Sequence, residues 1–311
     1  MSNEILYTNV TGSYVFNKEG KKLSEIKFAK LEDYKKSDKS ERALLERFPG
    51  AVKKTDKKVL EHFRKNMHEY KEQFYNQNIE LTKESIKQHV SNIVLIIQCI
   101  NNNEELDKII NTLTKRLREW YSYYLPEAVN EIADNERFIH EISEKSREEL
   151  LQNLGISEKK CMGSDLSQMN MQPINNLVAQ IQGLNQLRKS HLDYLERVMN
   201  ESCPNLATVA GVHVGAKLIA QAGSLARLAG FPASTIQLLG AEKALFRHMK
   251  TGAKSPKHGI IIQHPLVQGS KNKGRMARAV ADKISLAAKV DYFNGEYIGD
   301  KLKDKLEKIQ K

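Results

Sequence analysis

Apolar and polar residues alternate in steps of two only at the start of the chain. Ile5-Leu6-Tyr7 and Ser13-Tyr14-Val15-Phe16 flank Gly12, and Asn17–Gly20 turns into Lys22–Phe28, where Leu23, Ile26 and Phe28 are apolar. This pattern predicts a small β meander over residues 1–30. A meander of that size cannot bury a core by itself, so the helices that follow must cover it. From there on the apolar residues recur at spacings of three and four. Ser40–Phe48 predicts a short helix ended by Pro49-Gly50. Asp56–Asn76 carries a thin stripe of Val59, Phe63, Met67, Tyr70 and Phe74. Thr82–Ile100 carries Ile86, Val90, Ile93, Val94 and Ile97, and Glu104–Leu125 carries Leu106, Ile109, Ile110, Leu113, Leu117, Trp120 and Tyr121 before stopping at Pro126.

The next two segments predict a coiled-coil hairpin. Its first arm is Ala128–Leu154, with Ile132, Phe138, Ile139, Ile142 and Leu150. Its second arm starts at Pro173, a suitable first helical residue, and runs to Asn200. At about 1.5 Å per residue this arm is a rod of about 42 Å. Its seam is Ile174, Leu177, Ile181 and Leu184, and its other face is charged. Such a rod needs a partner helix, which is the first arm, a second copy of the chain, or both. The four seam residues are therefore the candidate dimerisation residues. From Leu206 the composition shifts to Ala and Gly, which predicts closely packed helices. Then come a helix at Gly240–Lys250, a loop at Thr251–Lys257, a buried strand or turn at Ile260–Ile262, and helices at Asn272–Lys289 and Asp300–Lys311. The expected fold is mainly α: a small N-terminal α+β domain (1–80), a helical linker (81–127), the long coiled-coil hairpin (128–202) and an all-α C-terminal domain (203–311).

Charge sharpens this picture. The 311 residues hold 49 Lys/Arg and 38 Asp/Glu, a net of +11. Residues 201–311 alone hold 18 and 8, a net of +10. Between Lys243 and Lys289 there are eleven basic residues and one acid, Asp282. A solvated face is the ordinary reading of a charge run. This block differs because it is nearly free of acids, lies on loops and helices alike, and alternates with apolar anchors. It calls for a polyanion, and nucleic acid is the expected one. Phe246 is the block's one aromatic residue. That favours phosphate and shape recognition of a folded RNA over base stacking.

Catalytic motifs are missing. There is no phosphate-binding GxxxxGK[ST], no GxGxxG, no HExxH and no GxSxG. His248, His258 and His264 fall in the basic block, where polar or RNA-stacking roles outweigh metal ligation; no metal site and no cofactor is expected. Glu242 reads as a capping carboxylate before it reads as an acid or base. Cys99, Cys161 and Cys203 lie far apart in no metal spacing, which suits a reducing compartment. The N-terminus carries no secretory pattern, and no apolar run nears the roughly 20 residues that span a bilayer. A soluble, cytoplasmic protein that binds no membrane is the expectation.

AGSLARLAGFPASTIQLLGAEKALFRHMKTG, SPKHGIIIQHP and NKGRMARAVADKISLAAKVDYF resemble the Nop domain. Leu117-Arg118-Glu119-Trp120-Tyr121, Met162-Gly163-Ser164-Asp165-Leu166 and Cys203-Pro204-Asn205-Leu206 also match that family. The resemblance is specific over about 115–300 and is to the archaeal members of the Nop5/Nop56/Nop58 family of box C/D ribonucleoproteins. It implies three jobs. The N-terminal module would dock fibrillarin, an RNA 2′-O-methyltransferase that uses S-adenosylmethionine. The coiled coil would form a homodimer. The Nop domain would grip a box C/D guide RNA at a kink-turn, together with a kink-turn-binding protein of the ribosomal-protein type.

Carried onto this sequence, Gly240, Glu242, Lys243 and Arg247 fall near the guide duplex, with Lys250 beside them. Lys254, Lys257 and His258 fall on an RNA-facing loop. Gln263 or His264 takes the stacking position, and Lys271, Lys273, Arg275, Arg278 and Lys283 lie on or before the following basic helix. The implied function is a non-catalytic scaffold that directs RNA 2′-O-methylation. Two other readings are an RNA-processing enzyme acting through Glu242, His248 or His258, and a spliceosomal-type Nop module without a methyltransferase. The β-rich start weighs against the latter.

Overall fold

The computed structural model describes residues 4–310, so Lys311, the expected end of the last helix, lies outside the described residues. They form two units, one ending at Ser91 and one beginning at Asn92. The alternating start builds β1 (Ile5–Asn9), β2 (Gly12–Phe16) and β3 (Lys22–Lys27). After α1 (Leu31–Lys35) and α2 (Ser37–Arg47) comes β4 (Val52–Lys53), then α3 (Lys57–Lys65) and α4 (Met67–His89). The sheet order is β3-β2-β1-β4, antiparallel except for the β1–β4 pair.

Register explains how this sheet finds two covers. Leu6 pairs with Val15, and both pack on Leu44 of α2. Their neighbours Tyr14 and Phe16 point the other way and pack with Val59, Phe63 and Tyr70 of α3 and α4. The rings of Tyr14 and Phe63 meet edge-on at 4.9 Å. All of β2 is buried because both faces are covered.

The second unit opens with α5 (Asn92–Tyr121). The helix expected over Thr82–Ile100 is thus broken, because Val90 leaves the helical region at ψ 87°. Ile86 and Val90 are exposed, so their spacing marks no buried face. Then follow α6 (Pro126–Glu131), α7 (Asn135–Glu144), α8 (Arg147–Asn153) and the 35-residue α9 (Gln168–Ser202). The expected first arm, Ala128–Leu154, is therefore three short helices. Asp134 caps α7 through the Arg137 amide, and Ser146 with Glu149 forms a capping box on α8.

The long partner of α9 is α5, and the two run antiparallel. Cys99 Sγ donates to His191 O, and Arg188 Nη1 donates to Asp107 Oδ1 at 2.9 Å. Farther along, Leu117 and Tyr121 share a core with Ile174, Val178 and Ile181. Pro173 lies inside α9, not at its start.

At the far end of the pair, α6, α7 and α8 close a small core. Arg118 fastens it: its guanidinium donates to Asn135 Oδ1 (2.9 Å), Val129 O (3.0 Å) and Ile132 O (2.8 Å), and lies 4.3 Å from the Phe138 ring centre. Arg147 fastens the segment before α9 by donating to Gly163 O at 2.9 Å and pairing with Asp165. Gly163 is required there, because a Cβ would sit 2.0 Å from Tyr124 O.

The near end of the pair merges into the C-terminal core. Its helices are α10 (Pro204–Ala210), α11 (Val212–Ala222), α12 (Leu225–Gly230), α13 (Ala233–Leu238), α14 (Glu242–Thr251), α15 (Pro265–Gln268), α16 (Lys273–Tyr292) and α17 (Gly299–Gln310). The Ala/Val/Ile face of α16 is the centre, packed by α10, α12, α13 and α17. Buried Asp291 accepts from the Asn205 amide (3.1 Å) and the Leu206 amide (2.8 Å), so α16 holds the N-terminus of α10. Among the described residues no helix is long and apolar enough to cross a membrane, and no His/Cys/Asp/Glu cluster is placed to hold a metal ion.

Candidate nucleic-acid interface

The basic block forms the surface that begins at the α13–α14 corner. Gly240 makes the corner with φ +86°, a conformation side chains with a Cβ rarely adopt. Its amide donates to Glu242 Oε1 at 2.8 Å, and Gln221 Nε2 donates to the same oxygen at 3.3 Å. Glu242 thus closes the corner. Gly240 and Glu242, both expected to face RNA, hold the backbone, and Lys243 and Arg247 on the next turn project into solvent. No residue of α14 is buried. Lys243, Arg247 and Lys250 share its surface with Phe246 (60% exposed) and Met249 (71%).

The loop after α14 turns at Gly252 and is held by His248, whose ring bonds to Ala253 O. The chain then runs back along the end of α13. The Gly259 amide donates to Gln237 O and the Ile260 amide to Leu239 O, both at 2.8 Å. Gln237 Nε2 donates to Lys257 O at 2.6 Å. The Lys257 side chain lies 3.5 Å from where a Gly274 Cβ would sit, which brings the loop to the first turn of α16. Lys271 and Arg275 there line an open cleft with Lys308 of α17. Lys308 went unrecognised from sequence because it sits in a mixed acid/base helix with no local charge excess.

Lys243, Arg247, Lys250, Lys254, Lys257, Lys271, Lys273, Arg275 and Arg278 are all exposed, and among the described residues none of them is in an ion pair. Nine positive charges without partners at fixed positions suit phosphates and not an internal network. Lys283 differs: it is half-buried and pairs with neighbouring Asp282 at 2.8 Å. His258 is half-buried in the loop.

His264 is corrected from an RNA reader to a structural residue. It is 7% exposed; its Nε2–H donates to Val209 O at 3.0 Å and its Nδ1 accepts the Leu266 amide at 3.2 Å. Burial holds its imidazole below the usual histidine range. Ile260–Gln263 is a 3-10 turn that buries Ile261 and leaves Gln263 exposed. Gln263 Oε1 accepts from Lys217 Nζ at 3.2 Å. The dimerisation residues need a similar correction. Ile174 and Ile181 are wholly buried in the chain's own core, and Leu177 and Leu184 are packed against it. The seam is filled by α5 before any second copy arrives.

A family profile described as "snoRNA binding domain, fibrillarin" matches residues 103–311. An uncharacterized NOP5 family protein of Methanocaldococcus jannaschii is 40% identical over 265 residues, 80% of this chain and 62% of that protein. Nucleolar protein 56 of Dictyostelium discoideum is 40% identical over 220 residues, 64% of this chain and 41% of that protein. The chain therefore spans less than two thirds of either relative. A chain of the solved fibrillarin/Nop5p complex is 22% identical and aligns over 98% of both chains, with a TM-score of 0.46. The eukaryotic relatives are named nucleolar proteins, which overturns the expectation of a cytoplasmic chain. With two thirds of its residues inside the family profile and an archaeal relative at 40% identity, this chain belongs to the Nop family.

Proposed function

We propose that this chain is a non-catalytic scaffold of a box C/D guide ribonucleoprotein. The observation that supports it most is the face from Lys243 to Arg278: nine exposed cations, none paired among the described residues, on a backbone fixed by Gly240, Glu242 and Gly259. Such a face binds by phosphate contact and shape, and leaves sequence to the guide RNA. The family profile's description supports small RNA as the polyanion and fibrillarin as the methyltransferase partner. The N-terminal α+β unit is the part read as docking fibrillarin. The antiparallel pair α5–α9 is a rigid spacer about 45–50 Å long at 1.5 Å per residue, and a homodimer would form through its outer surface. A kink-turn-binding protein of the ribosomal type would complete the RNA grip. Holding methyltransferase and target together raises effective concentration with no chemistry by the scaffold.

Assembly tests the reading. The purified chain, fibrillarin and a box C/D RNA with its kink-turn protein should form one complex that methylates guide-paired RNA. Lys254→Ala with Lys257→Ala should weaken RNA binding alike across guide sequences. It should also flatten the slope of log K against log salt by roughly 0.7–0.9 per lost phosphate contact. Unchanged affinity at low salt removes the loop from the interface. Methylation by this chain without fibrillarin defeats the scaffold reading.

A further inference from the structure

The basic face does not end with the basic block. The turn that begins α16 meets the loop at Lys257, whose side chain lies 3.5 Å from where a Gly274 Cβ would sit. The same turn also forms one wall of an open cleft of about 840 Å³. Lys271 and Arg275 line it from that side, and Lys308 and Ile309 of α17 from the other. Packing sets both walls. Met276 of α16 and Leu302 and Leu306 of α17 are buried in one shared core, and Lys308 follows Leu306 by two residues. Lys271, Arg275 and Lys308 are exposed, and among the described residues none of the three is in an ion pair. Helix α17 is mixed in sign, yet its acids Asp300, Asp304 and Glu307 do not line the cleft. Among the described residues no carboxylate does. The cleft thus holds three cations from two elements with no counter-charge.

We infer that this cleft holds the sugar–phosphate backbone of an RNA strand, so that α17 is a second wall of the RNA face and Lys308 one of its contacts. The inference rests on the reading of RNA as the partner of the basic face, and it carries that face onto a helix with no local charge excess. A cleft lined by one sign of charge focuses the field and gathers counter-ions, and a strand that displaces them gains by their release. Arg275 offers a planar fork to phosphate oxygens, and the two lysines offer point charges on flexible stems. Ile309, 43% exposed, puts apolar surface beside these charges, which a ribose covers. Continuity decides between RNA and an acidic protein segment. The turn that lines the cleft also touches Lys257, so a strand leaving the loop passes directly into it.

The test is fluorescence anisotropy of the full chain on a labelled box C/D RNA bound by its kink-turn protein, read as affinity against salt. Lys308→Ala should weaken binding about threefold or more and lower the slope of log K against log salt by roughly 0.7–0.9. Lys308→Arg should keep both. Lys301→Ala removes the same charge from an exposed position of the same helix and should change affinity by less than about 1.5-fold. Both positions are exposed, so the thermal midpoint should stay unchanged. Equal losses in Lys308→Ala and Lys301→Ala overturn the cleft in favour of overall charge. Loss on Lys254→Ala with Lys257→Ala but none on Lys308→Ala overturns the cleft and leaves the RNA face standing, whereas no loss in either sinks the RNA reading itself. Hexaglutamate that binds as tightly as a uridine hexamer, with the same dependence on Lys308, overturns RNA as the occupant.

Discussion

Position 264 shows how one residue can be read correctly as special and wrongly as to role. His264 lies among lysines and after an apolar run, so an RNA contact is the natural sequence reading. What decides otherwise is Val209, 55 residues earlier, whose carbonyl takes the Nε2 proton while Nδ1 caps α15. Partners that far apart in sequence leave no local pattern. Asp291 and its hold on Asn205 and Leu206 are hidden for the same reason. Glu242, by contrast, was legible as a cap, since its partner Gly240 is two residues away.

A pH dependence follows from His264. A second proton would have to sit on Nδ1, facing the Leu266 amide, and burial already disfavours the charged ring. The folded chain therefore binds this proton less readily than the unfolded chain. Stability is complete above the ordinary histidine pKa of about 6.5 and falls as pH drops through it. His264→Gln should cost about 1–2 kcal/mol at neutral pH by losing the cap. It should also shrink the decline in urea midpoint between about pH 6.5 and 5. His62 and His213, also held low by burial, keep part of that decline. A variant with the full wild-type slope would exclude His264 as a contributor.

Among the elements, the long helices were legible and their partnership was not. The stripe of α9 is regular and that helix forms near its expected place, whereas α5 joins the second half of the expected helix Thr82–Ile100 to the expected helix Glu104–Leu125. The sequence leaves the partner of α9 open between Ala128–Leu154, a second copy of the chain, or both, because that segment comes next and has apolar residues at similar spacing. Its stops were nonetheless readable: Asp134 before α7, and Ser146 with Glu149 at the start of α8. Three short helices cannot line a rod, so they fold over the end of the pair, where Arg118 ties them. Arg118 is also a family-motif residue, and the structure gives that motif a mechanical meaning.

Arg118→Lys keeps the charge and loses the fork that reaches Val129 O, Ile132 O and Asn135 at once. It should destabilise the α6–α7 cap by about 2–3 kcal/mol through carbonyls left without donors. Amide hydrogen exchange should rise about 10- to 100-fold across Pro126–Glu144 and stay unchanged in α16. Uniform acceleration across both regions would mean that Arg118 supports the whole unit and not its end.

On the scale of the whole molecule the question is whether RNA would answer to net charge or to the built face. The chain carries +11 overall, and almost all of it lies in the last third. This segregation was fully legible, because counting charges needs no geometry. What counting could not supply is which cations are free. Lys283 sits in the same block and is paired to Asp282, whereas Lys243 and Lys250 are exposed without an ion pair among the described residues. Two double reversals separate the alternatives: Lys243→Glu with Lys250→Glu on α14, and Lys57→Glu with Lys65→Glu on α3. All four lysines are exposed, and each pair lowers the net charge from +11 to +7. If overall charge governs binding, both variants weaken it alike. If the built face governs it, the position of each charge decides its effect. The α14 pair should then lower RNA affinity at least about tenfold and reduce the salt slope, and the α3 pair should change it by less than about twofold. Equal loss in filter binding by both variants would reduce the face to a concentration of charge. Selective loss would make Lys243 and Lys250 part of a site whose geometry is set by the Gly240–Glu242 corner beside them.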